Sequence, residues 1–109
     1  MFLGDDMLDI DIDSRYGILF VRLFGKLNKY TMFKLKDEVM FLIENAGINN
    51  IVINIQNLYD MDKEGINMLK RCYKSCTKSL ICINYSQVNM IENMKFTFDE
   101  MSAYNLIKI

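Results

Sequence analysis

Apolar residues in this chain switch repeatedly between period two and the three-to-four spacing of a helix. That switching restricts the chain to mixed α/β folds. "DMLDIDID" (6–13) alternates, with Leu8, Ile10 and Ile12 on one face and Asp9, Asp11 and Asp13 on the other. This is a half-buried strand whose row of carboxylates discourages edge-to-edge pairing. "DSRYG" (13–17) is a polar turn, and "ILFVRLFGKL" (18–27) is a second strand that closes a hairpin with the first. Leu19, Val21 and Leu23 share one face of it, and Ile18, Phe20 and Arg22 share the other.

The period then changes. Met32, Leu35, Val39, Leu42 and Ala46 recur at helical steps behind Thr31, a candidate N-cap worth about 1 kcal/mol over Ala. Gly47 suits the left-handed position that ends a helix. "NNIVINI" (49–55) reads as an inner strand. Ile66, Leu69, Tyr73 and Cys76 form the stripe of a second helix over about 63–77. "SLICINY" (79–85) is a further strand, and Val88, Ile91, Met94 and Lys95 suggest a third helix over 87–98. "YNLIKI" (104–109) reads as a short last strand. Strands separated by helices imply parallel pairs beside one antiparallel hairpin. The expected fold is one α/β domain spanning 1–109, a mixed sheet of four or five strands with its helices mainly on one face.

Composition removes several functions. The net charge of −1 offers no basic field for nucleic acid. No apolar run approaches the roughly 18–20 residues of a membrane helix, so no membrane insertion is expected. The acidic start "MFLGDDMLDID" lacks the basic n-region of a signal peptide, which makes a cytoplasmic location the expectation. Histidine is absent, and with it the commonest general base and metal ligand. A calcium loop starting at Asp9 would want Gly at its sixth position and Glu at its twelfth, where the chain has Ser14 and Phe20. Cys72 and Cys76 share a helix face and, with Cys82, are read as reduced core residues; a thiol sensor is the competing reading. "GKLNKYT" (25–31) is not a phosphate-cradling loop. Enzyme activity, a cofactor and a metal are not expected.

The junction "YDMDKEGINML" (59–69) is more informative. Asp62 can cap the second helix, and Glu64 falls in its first turn, where the helix dipole favours a carboxylate. Those are also ordinary helix-start residues.

The segment "INNIVINIQNLYDMDKEGINMLKRCYK" (48–74) resembles the centre of STAS domains, in particular bacterial anti-sigma factor antagonists. Met61, Asp62 and Gly65 match the frame of that family's Met-Asp-Ser-Ser/Thr-Gly motif. "LFVRLFGKLNKYTMFKLKDEV" (19–39) resembles its second strand, turn and first helix. "FDEMSAYNLIKI" (98–109) resembles its late "F-D-M-S-G" segment. The resemblance implies a binding module whose partner is a protein, such as an anti-sigma factor kinase that phosphorylates the hydroxyl before the motif's Gly. Here that position is Glu64, beside Lys63, so phosphorylation switching is expected to be lost. The partner surface implied is Asp60, Met61, Asp62, Lys63, Glu64 and Gly65. The alternative is a STAS subunit or scaffold of another assembly, such as a transport or signalling complex, with a different STAS-binding protein as its partner. Relatives commonly continue into another helix where this chain reaches Ile109.

Overall fold

The computed structural model describes residues 6–108. Strand β1 (Leu8–Arg15) turns through Tyr16 and Gly17, both at positive φ, into antiparallel β2 (Ile18–Leu27). This is the backbone twist that two-residue hairpins favour. Helix α1 covers residues 32–46 and ends on left-handed Gly47. Then follow β3 (Asn50–Met61), α2 (Lys63–Lys74), β4 (Lys78–Cys82), a 3-10 segment (Tyr85–Met90), the two-residue β5 (Phe96–Thr97) and α3 (Glu100–Lys108). The sheet order is β1-β2-β3-β4-β5, with the last three pairings parallel.

The sheet separates two cores. On one face, Leu19, Val21, Leu23, Ile51, Ile53 and Ile81 pack against Leu35, Val39, Leu69 and Cys72 of α1 and α2. On the other, Ile18, Phe20, Val52, Leu80 and Cys82 pack against Ala103, Tyr104 and Ile107 of α3. Most of the helical mass therefore lies on one face, and the two faces of β2 divide as the alternation predicts.

Four local expectations are corrected. The middle of α1 is a π turn, Lys36–Met40. The wide turn carries the buried set from Leu35 and Val39 to Met40 and Ile43, and leaves Leu42 half-buried. Thr31 does not cap α1 through its side chain. Its hydroxyl donates to the Lys26 carbonyl (2.8 Å) and accepts from the Asn28 N–H (3.0 Å). The helix expected at 87–98 is the short 3-10 segment, closed by a reciprocal capping box between Asn84 and Gln87. The Gln87 amide donates to the Ile55 carbonyl of β3 (2.7 Å), which anchors this turn to the sheet. Finally, 104–108 is helical rather than extended. The Asp99 carboxylate accepts from the Ser102 N–H (2.7 Å) and starts α3, and helical spacing then places Ala103 and Ile107 on the sheet. Ile109 lies outside the described residues.

Near its end β2 shifts register against β3, twice around Gly25. Gly25 sits at φ 106, and a Cβ there would meet the Met7 carbonyl oxygen at 2.3 Å. Only glycine lets the start of the chain cross so closely. Beyond that irregularity β2 continues beside the long β3 as far as Leu27 opposite Met61.

Candidate functional site

The end of β3 and the start of α2 form a rim with the β2–α1 loop. Asp62 leaves the sheet in an extended conformation, and its N–H donates to the Leu27 carbonyl (3.2 Å). Its carboxylate has two duties. One oxygen accepts from the Gly65 N–H (2.8 Å), which is the N-cap bond. The other accepts from the Lys29 N–H (3.0 Å) across the rim. One side chain thus caps α2 and fixes the neighbouring loop.

Gly65 is required by space, because a Cβ there would lie 2.1 Å from the Leu27 carbonyl oxygen. The start of α2 is therefore pressed against the end of β2 backbone to backbone. Asn28 completes the rim from beneath. It is buried, its side-chain oxygen accepts from the N–H groups of Tyr30 (2.9 Å) and Thr31 (3.1 Å), and its amide donates to Asp6 (3.0 Å). Asn28, Leu27 and Lys29 were not singled out from the sequence. "KLN" carries no signal of a partner that lies so far along the chain.

Of the residues expected at the partner surface, Asp60, Lys63 and Glu64 are exposed, Met61 and Asp62 are half-buried, and Gly65 is buried. Lys63 and Glu64 occupy the first turn of α2 and take part in no ion pair among the described residues. Tyr59 is 71% exposed on the same rim, with the Lys26 ammonium over its ring. Met32 of α1 and Glu64, Asn67, Met68 and Arg71 of α2 line a shallow groove running down from the rim.

The α2 stripe centres on Gly65, Met68, Leu69 and Cys72, with Ile66, Tyr73 and Cys76 half-buried at its flanks. Burial pushes the Cys72 thiol up to about 12 and the Cys82 thiol up to about 11, and raises Cys76 as well. All three are free thiols held protonated at neutral pH, which disfavours nucleophilic or sensing chemistry. Among the described residues no three His, Cys, Asp or Glu side chains gather as a metal site.

The start of α2 is thus exposed at Lys63 and Glu64 and braced from below by Asp62 and Gly65. The chain belongs to the STAS domain family, whose profile matches residues 9–97. It is similar to an anti-sigma F factor antagonist of Paenibacillus polymyxa, 26% identical over 102 residues, which cover 90% of this chain and 87% of that one. Its fold matches the crystal structure of an anti-sigma factor antagonist from Mycobacterium paratuberculosis with a TM-score of 0.83 at 11% identity, over 95% of this chain and 97% of that chain. It also matches the anti-sigma factor antagonist SpoIIAA in its unphosphorylated form, with a TM-score of 0.75 at 13% identity, over 92% and 98% of the two chains.

Proposed function

We propose that this chain is a non-enzymatic regulatory module of the anti-sigma factor antagonist type. It binds an anti-sigma factor kinase in the cytoplasm through the rim at 60–65 and does so without a phosphorylation switch. The observation that carries the reading is the exposed Glu64 in the first turn of α2. In the resembled motif this position holds the hydroxyl that takes the phosphate. Asp62 and Gly65 are needed to build the junction, whereas Lys63 and Glu64 are free to meet a partner. A phosphoserine carries about −1.5 to −2 charge and a glutamate −1, so Glu64 supplies a constant part of the charge that phosphorylation would add.

The test uses the anti-sigma factor kinase encoded in the same genome. With ATP, intact-mass measurement should find no added phosphate on the parent chain. Glu64→Ser and Glu64→Lys should both change kinase affinity in calorimetry, because each alters charge at the centre of the interface. Equal binding by the parent and both variants would reduce this junction to a helix start and place the interface elsewhere. No binding by any of them would favour the role in another assembly.

A further inference from the structure

The strands' other end carries a second feature. β5 is only two residues long and begins opposite Ile81, so the first half of β4 has no strand beside it on that side. The gap is a cavity of about 320 Å³ between the ends of α2 and α3. Lys74 comes from the last turn of α2, Lys78 from the start of β4 and Lys95 from the residue before β5. No carboxylate side chain lines the cavity among the described residues, and none of these lysines is in an ion pair there. In a chain of net charge −1, three ammonium groups with no side-chain carboxylate beside them among the described residues are a local excess of positive charge, which the carbonyl ends of α2 and α3 offset only in part.

Backbone geometry adds a donor. The Ile81 N–H donates to the Lys95 carbonyl (3.0 Å), so it points toward β5. Alternation along a strand then turns the Ser79 N–H to the same side, two residues earlier, where β5 has not begun. The Ser79 hydroxyl is engaged by the Tyr73 carbonyl (2.6 Å), which fixes this end of the strand. Lys78 is likewise oriented, because its ammonium donates to the Ile107 carbonyl (3.1 Å) with protons to spare. Leu106 and Ile107 supply an apolar wall.

We propose that this notch binds a small organic phosphate monoester, with the phosphate at the three lysines and the Ser79 N–H and the organic body against Leu106 and Ile107. Each Lys ammonium is a compact point charge with three donors, which can meet a tetrahedral phosphate without the planar bidentate fork that arginine brings to carboxylates and phosphates alike. The volume lies at the lower end of small-molecule sites, which limits the body to about one ring. The site lies at the opposite end of the parallel strands from the rim at 60–65, so its occupation does not depend on the partner reading.

Phenyl phosphate is the probe. Titration of the intact chain, followed by calorimetry and amide chemical shifts, should show saturable binding that moves the Ser79 and Lys95 resonances. Lys74→Gln and Lys95→Gln, both at exposed positions, should each weaken it on the order of tenfold, as loss of a charged hydrogen bond does. Phenol should bind far more weakly and inorganic phosphate less tightly than phenyl phosphate, while Glu64→Ser should leave the affinity unchanged. No saturable binding at millimolar probe would overturn the proposal. So would binding that survives the Lys74→Gln/Lys95→Gln double variant, or shifts clustered away from Ser79.

Discussion

At the junction 59–65, neighbouring residues have opposite kinds of work. Asp62 and Gly65 are fixed by geometry, through two hydrogen bonds and a backbone contact that leaves no room for a Cβ. Gly65→Ala should therefore destabilise the fold by about 3 kcal/mol or more, as overpacking against an immovable backbone does. Asp62→Ala should cost about 2 kcal/mol, at the upper end for a cap, because the Lys29 N–H loses its partner too. Urea denaturation of both, with Glu64→Ser as a near-neutral reference, measures the difference. The capping role of Asp62 was legible in the sequence because a cap is a local event. The reason for Gly65 was not, since the atom it avoids is on Leu27, across the sheet. Asn28 and Thr31 show the same limit. Thr31 looked like a cap from its neighbours, but its hydroxyl goes to Lys26 while Asn28 supplies the turn's acceptor.

Elements were readable where burial alone decides their period. The β2 alternation placed Leu19, Val21 and Leu23 opposite Ile18 and Phe20, and the two cores divide along that line. The α2 stripe was read about one position wide of its centre, yet Leu69 is fully buried. Leu69→Ala should cost about 2–5 kcal/mol in equilibrium unfolding. The π turn of α1 was not legible, because a five-residue turn breaks the period on which the reading rests. The end of the chain misled for another reason: six residues with apolar members fit either period, and the Asp99 cap and the facing sheet decide for helix. A charged clamp then holds α3 down. The Arg22 guanidinium makes two hydrogen bonds to the Glu100 carboxylate (2.8 and 2.9 Å), and the Asn54 amide adds a third (2.9 Å). Burial alone would raise the Glu100 carboxyl, but the bonds from Arg22 and Asn54 and the charge of Arg22 outweigh it and hold it below the ordinary value. A lowered carboxylate stabilises the fold above its unfolded pKa, and that contribution is lost as pH falls through the folded one. Glu100→Gln should cost about 1–2 kcal/mol at pH 7, and the gap to the parent should close as the pH is lowered through the carboxylate range. Thermal melts across that range test it.

At the scale of the molecule, the two faces of the sheet are unequal. α1 and α2 bury the larger core, which includes Cys72, whereas among the described residues α3 is the helix that covers the smaller one, which includes Cys82. Fewer apolar contacts hold α3, so it should open at a free energy below that of global unfolding. The cysteines make that opening measurable. Both thiols are buried and have raised pKa values, so neither should react at neutral pH while its core is closed. Cys76 is half-buried at the end of α2, so the measurement is made in a Cys76→Ser background. Slow labelling of Cys82 should then precede labelling of Cys72, because detachment of α3 uncovers the first and only loss of the main core uncovers the second. Glu100→Gln weakens the clamp on α3 and should speed Cys82 labelling by about tenfold for each 1.4 kcal/mol lost. Cys72 should gain no more than the loss in global stability allows. Equal labelling rates for the two thiols, in parent and variant alike, would mean that the sheet and all three helices open as one unit.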